Sequence, residues 1–260
     1  EIEKPEIEIE RALKKPIGTK RLSQTVKPGD KVSIVVDDET KNTPSFWILP
    51  PLLRELEGGG VKSGDITIIF ACGARGPVKP EDMEKLVGRE VLAEINAISH
   101  DSRSKENVYL GKTRFGTKVY INKVFAESDI KILTGSIGLD YYGGYSGGRE
   151  SILPGISGAE TIRRNQALLL HSKAKTGVLE ENPVHEDMME AARLAKVDFI
   201  LNVVISPRGK LIKAFAGDLE QAFYEGVKLV DEMYKIPIKR RAEIVVVSPG
   251  GYPLDANLYQ

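Results

Sequence analysis

The sequence predicts an α/β fold, a mostly parallel sheet flanked by helices. Two observations lead to it. Several short β-branched runs are almost continuously apolar, which suits strands buried on both faces. Segments with apolar residues at helical spacing lie between them, and such alternation builds a parallel sheet. A third observation concerns function. Polar and glycine-rich residues gather just after the strands, where open α/β sheets bind ligands.

The elements follow in chain order. Residues 32–36 read as the first strand, with Asp37 and Asp38 directly after it. A helix is predicted over 46–56, stopped by Gly58, Gly59 and Gly60. The strand at 65–70 runs into Ala71, Cys72 and Gly73. Pro80 and two acidic residues open a helix over 80–86. The strand at 130–133 runs into Thr134 and Gly135. Helices are expected over 187–195 and 219–234, with a strand at 199–205 between them and a last strand at 243–247. Pro237 sits in the best boundary, 235–241. One domain is therefore expected over 1–235, and a linker with the first strand of a second over 236–260.

Composition narrows the functional classes. The chain has 260 residues, 41% of them hydrophobic, enough for a substantial core. Basic and acidic residues balance, so no charge excess points to nucleic acid. No apolar run approaches the roughly 18 residues of a membrane span, and no signal segment opens the chain. Cys72 is the single cysteine, which rules out an internal disulfide and fits the cytoplasm. Charged residues at 28% and few glutamines lean toward a thermophile. The chain begins at Glu1 and ends on a turn-like segment, so it reads as a trimmed piece.

Two motifs stand out. Residues 37–44, DDETKNTP, join a strand to a helix and read equally as a helix cap or as the lip of a site. Residues 143–149, GGYSGGR, could form a nest for phosphate or carboxylate, or a turn that only glycine fits. The spacing matches neither a dinucleotide fingerprint nor a Walker loop. His100, His171 and His185 lack zinc-site spacing. His100 reads as structural and His185 as a solvated surface residue. Asp37, Asp38, Asp140 and Glu150 could also serve a hard cation as oxygen ligands.

Taken together, the motifs resemble the nickel-pincer lactate racemase family along nearly the whole chain. DDETKNTPS at 37–45, FACGARGPVKPEDMEKLVG at 70–88 and SHDSRSKENVYLG at 99–111 carry the resemblance. So do the segment 121–162 around the glycine loop, GVLEENPVHEDMMEAARLAKVDFILNVV at 177–204, FAGD at 215–218 and GGYPLDANLYQ at 250–260. The resemblance implies a Rossmann-like N-terminal domain with the active site in a cleft against a second domain. It also implies a nickel-pincer nucleotide carried on a lysine, a metal-binding histidine and two proton-transfer histidines.

This sequence departs from that pattern at the reacting positions. Glu150 stands where the resemblance places the cofactor's lysine, so covalent attachment there is expected to be lost and the cofactor is unknown. Asp140 and Arg75 take the places of the proton-transfer histidines. Gln166 takes the place of the metal histidine, and Lys41 that of a motif arginine. Tyr259 matches the family tyrosine. The candidate catalytic residues are therefore Asp140, Glu150 and Arg75. The candidate ligand-binding residues are Asp38, Lys41, Tyr141, Ser146, Gly147, Gly148, Arg149, Gln166 and Tyr259, with Lys41, Arg75 and Arg149 holding a small anion. No metal ligand is assigned with them. The expected activity is a divergent racemase or epimerase acting on a 2-hydroxy acid or related small carboxylate. The alternative is a non-catalytic ligand-binding or regulatory homologue.

Overall fold

The structure, a computed structural model, describes residues 2–246. The first half contains α1 (Pro5–Lys14), β1 (Val32–Asp37), α2 (Ser45–Gly58), β2 (Ile66–Ala71), α3 (Pro80–Val87), α4 (Arg89–Glu94) and β3 (Asn96–Ser99). The middle contains β4 (Val108–Lys112), β5 (Lys118–Ile121), α5 (Lys123–Glu127), β6 (Ile130–Ser136), β7 (Leu139–Asp140) and β8 (Gly144–Tyr145). A short 3-10 turn, Gly148–Ser151, precedes α6 (Ala159–Gln166), α7 (Pro183–Leu194), β9 (Phe199–Ile205), β10 (Leu211–Gly217) and α8 (Gln221–Tyr234).

Six strands form one sheet in the order β10-β9-β6-β1-β2-β3. All its pairings are parallel except that of β10 with β9. The expected mostly parallel α/β sheet is what the chain forms. Side chains alternate between faces along each strand. Ile34, Val36, Ile68, Phe70 and Ile132 pack with α1 and α2 on one face. Val35, Ile69, Leu133, Ile200 and Val204 pack with α7 and α8 on the other. Both faces are dry, which is why the strands read as unbroken apolar runs.

Helix starts show where local chemistry overrode the simple pattern. α7 begins four residues before the expected start, because Asn182 caps it and Pro183 takes its first position. The Asn182 side chain accepts from the N–H groups of Val184 and His185. α2 tolerates Pro50 and Pro51 inside it while Ile48, Leu49, Leu52 and Leu56 bury fully against the sheet. Of the strand expected at 243–247, residues 243–246 form no strand and Ile244, Val245 and Val246 are exposed. An apolar run without a neighbouring strand to pair with does not make a ladder. Val247 lies outside the described residues.

The N-terminal helix closes the far edge of the sheet. Arg11 Nη2 donates to Ala214 O at 3.0 Å, and Glu8 Oε1 accepts from Ala214 N at 3.0 Å. Ile17 N donates to Ala216 O, and Asp218 N donates back to Ile17 O.

Leu133 lies on β6, between β1 and β9, and is fully buried. Leu133→Ala removes its contacts at the centre of the sheet. A loss of about 2–5 kcal/mol is expected in equilibrium urea unfolding.

Candidate active site

The carboxyl ends of β1 and β2 open into a cavity of about 190 Å³. Asp38, Lys41, Arg75, Glu150 and Gln166 line it, and so does Asp37, the last residue of β1. Five of the predicted site residues are thus brought together from four separate stretches of chain. The 3-10 turn after the glycine loop delivers Glu150, and the end of α6 delivers Gln166.

Charges in the cavity are paired. Lys41 Nζ donates to Glu150 Oε1 at 2.7 Å. Glu150 Oε2 also accepts from Gly147 N at 3.0 Å. Burial alone would raise the Glu150 carboxyl, but the Lys41 ammonium, the Gly147 N–H and Arg149 outweigh it and hold it below its ordinary range. Burial likewise opposes the Lys41 charge, yet Glu150, Asp37 and Asp140 keep its pKa above the usual value. Asp38, nearly inaccessible, accepts from Arg75 Nε at 2.8 Å and Nη2 at 2.5 Å. Its other oxygen accepts from the N–H and hydroxyl of Thr40, which closes the turn after β1.

Asp37 is the exception, with no cation bonded to it among the described residues. Its partner is the Thr43 hydroxyl, which donates to Oδ2. Burial, aided by the negative charges of Glu150 and Asp38 and opposed by Thr43 and Lys41, pushes its pKa up to about 6. The sequence marked Asp37 only as a lip residue or oxygen ligand. The signal was present, since a carboxylate ending a fully buried strand loses water on that strand's account.

The glycine loop is not an anion nest. Its N–H groups are engaged inside the protein: Tyr142 and Gly143 donate to Asp140 Oδ1, Gly147 to Glu150, and Gly148 to Asn202 Oδ1 at 2.7 Å. Asp140 therefore shapes the turn between β7 and β8 and is not on the cavity wall, though it adds to the field on Lys41. Gly144 adopts φ +80°, and a side chain there would strike Val178 O, so that glycine is required by fit. Ser146 is structural, donating through Oγ to Ser136 O and accepting from Gly138 N. Tyr141 is half exposed beside Tyr142, away from the cavity wall. Tyr259 lies outside the described residues.

Arg149 is likewise not an anion holder, for it is fully buried. Its guanidinium donates to Gly143 O at 2.9 Å, Gly147 O at 3.0 Å and His185 Nδ1 at 3.1 Å, and lies 4.6 Å from the Phe223 ring centre. Burial pulls its pKa down to about 10. His185 is correspondingly buried in the first turn of α7, not solvated. Burial and the neighbouring Arg149 and Arg193 charges depress it to about 3. His100 is buried too, with Nε2 against Ser157 O, the structural place expected of it. The four carboxylates considered as oxygen ligands do not make a cage. Among the described residues no three acidic, histidine or cysteine side chains are grouped to hold a metal ion.

The lactate racemase N-terminal domain profile matches residues 1–177. The chain belongs to the lactate racemase family. It is 40% identical over 255 residues to a lactate racemase of Thermoanaerobacterium thermosaccharolyticum and 36% identical over 255 residues to one of Lactiplantibacillus plantarum, covering 97% of this chain in each case. It spans 59% and 60% of the length of those two proteins. The lactate racemase apoprotein structure from T. thermosaccharolyticum superposes with a TM-score of 0.84 at 38% identity, over 88% of this chain and 55% of that one. A Thermotoga maritima protein structure shares the fold, with a TM-score of 0.72 at 20% identity over 88% of this chain and 59% of that one. In this lactate racemase-family chain, no helix among the described residues is long and apolar enough to cross a membrane.

Two consequences for stability follow. Asp37 binds its proton more tightly folded, at about 6, than unfolded, near 3.8. Its contribution is present below the lower value and lost as pH rises through the upper one. Asp37→Asn is therefore expected to stabilise the protein at pH 7.5 by up to about 3 kcal/mol, and not at pH 3.5, as thermal or urea unfolding at the two pH values will report. His185 has the opposite sign. It stays neutral when folded but protonates near 6.5 when unfolded, so stability falls as pH drops from 6.5 toward 3. His185→Asn, which keeps an acceptor for Arg149, should flatten that decline by up to about 1.4 kcal/mol per pH unit.

Proposed function

We propose that this protein is a divergent racemase or epimerase of the lactate racemase family, acting on a 2-hydroxy acid or related small carboxylate without the covalent nickel-pincer cofactor. Kinship with two lactate racemases supports the reaction class. The Lys41–Glu150 ion pair carries the rest of the reading. The resemblance puts the cofactor's lysine at position 150, where a carboxylate offers no amine. The cavity's amine, Lys41, is held protonated by Glu150 and is a poor nucleophile in that state. Imidazole is missing from the cavity wall among the described residues. These residues do not fit the covalent group.

In this reading the ligand is a small anion in a cytoplasmic protein without nucleic-acid or membrane partners. Lys41 and Arg75 hold its carboxylate, while Glu150 and Asp38 orient those two cations. Inversion breaks the α-carbon–hydrogen bond and sends the electron pair into the carboxylate as an enediolate, which the cations stabilise. Asp37, titrating near 6, accepts the proton, and it returns the proton to the opposite face after the planar enediolate turns over in the cavity. Gln166 offers its amide to the substrate hydroxyl. Asp140, first considered as the base, keeps the loop in shape. In the same reading residues 1–235 are one domain.

One observation favours a non-catalytic homologue instead. Both cations are already neutralised, at 2.7 Å by Glu150 and 2.5 Å by Asp38. Loss of α-deuterium from 2-deuterated hydroxy acids separates the readings. The enzyme reading expects washout that Asp37→Asn abolishes; ligand-induced thermal stabilisation without washout overturns it. Intact-mass and nickel analysis of protein made beside the cofactor-building enzymes tests the cofactor. No mass increment is expected, and a nucleotide adduct would sink that part of the proposal.

A further inference from the structure

Asp37, Gly135 and Asn202 lie on three adjacent strands, β1, β6 and β9. Gly135 and Asn202 are direct partners across the β6–β9 ladder. Asn202 is fully buried. Gly148 N–H donates to its Oδ1 at 2.7 Å, which fixes the amide's orientation and turns the NH₂ the other way. Among the described residues Asn202 Nδ2 has no hydrogen-bond partner. A buried donor left that way carries a full desolvation cost.

The space in front of that donor is defined by Gly135. A methyl group placed on Gly135 would lie 3.5 Å from Asn202 Nδ2, 3.5 Å from Asp37 Oδ2 and 3.8 Å from Ser151 Oγ. Three polar atoms thus surround a methyl-sized gap kept open by a glycine. Their hydrogen-bonding needs are specific. Asn202 Nδ2 can only donate. Ionised Asp37 can only accept, and its Oδ2 has capacity beyond the Thr43 hydroxyl. Ser151 Oγ already donates to Thr134 O at 3.0 Å, so it presents lone pairs. A guest must accept once and donate twice. Water does so, whereas ammonium has no lone pair and an alcohol has one proton.

We propose that Gly135, Asn202, Asp37 and Ser151 form an internal site for a single water molecule, and that Asn202 is through it a positioning residue for the Asp37 carboxyl. One amide then serves two structures. Its oxygen fixes the glycine loop at Gly148, and its nitrogen fixes the water that donates to Asp37. The site needs no turnover to exist, so its test is separate from that of the activity.

A high-resolution crystal structure should place one water within hydrogen-bonding distance of all three atoms. Gly135→Ala meets its neighbours only at ordinary contact distances, so it should fold while displacing the water. Carbon-13 NMR titration of the Asp37 carboxyl should then show its ionisation constant lowered roughly three- to tenfold, because a donor to the charged form is gone. Gly135→Ser, whose hydroxyl can accept from Asn202 and give its one proton to Asp37 while leaving Ser151 without the water's second proton, should restore most of it. Wild-type density without that water, or an Asp37 midpoint unmoved in Gly135→Ala, overturns the proposal. Should the alanine variant fail to fold, the wild-type density decides alone.

Discussion

A guanidinium sealed away from water holds the glycine loop in its shape. Arg149 reaches two loop carbonyls, a histidine and an aromatic face, none of them a carboxylate. A buried charge held by neutral acceptors is costly, and it persists only where its hydrogen bonds are complete. Everything on the loop's far side depends on this arrangement. The neighbouring Glu150 faces the cavity because Arg149 turns inward, and Asp140 ties the turn that brings Gly143 within reach of the guanidinium. Loop and cavity are one construction, with the cation as its centre.

The cavity itself is balanced in charge where an anion site would be positive. Two cations face two carboxylates at bonding distance, and a fifth group, Asp37, is left in a field that disfavours its charge. A ligand carboxylate entering here must share cations with Glu150 and Asp38. Any preference among ligands is then set by how well that exchange is geometrically matched, more than by attraction at long range.

Much of the architecture could be read from residues alone. Strands buried on both faces announced themselves as apolar runs, and residues 37–41, 72–75 and the segment after Leu133 follow such runs, which sets them at one end of the sheet. The cavity was legible because sheet topology is regular. The loop was not. Glycine spacing reports backbone freedom without saying which N–H groups will be used internally, and here Asp140, Glu150 and Asn202 use them. Arg149 and His185 were misread for a related reason. Charged and imidazole side chains default to solvent unless a partner is known, and these two are each other's partner across 36 positions. Asn202 was hidden inside a strand whose neighbours are all apolar.

The pinning of α1 onto β10 has a consequence for the order of assembly. Arg11 and Ala214 are 203 positions apart, and α1 packs on β10 as well as on the nearer α2. During synthesis α1 has α2 to rest against early, but its contacts to β10 wait until almost the entire sheet has left the ribosome. The sheet's edge is thus closed late by an early segment, and non-local closure of this kind slows folding. Until residue 217 is free, the part of α1 that meets β10 stays uncovered, a natural hold for a chaperone.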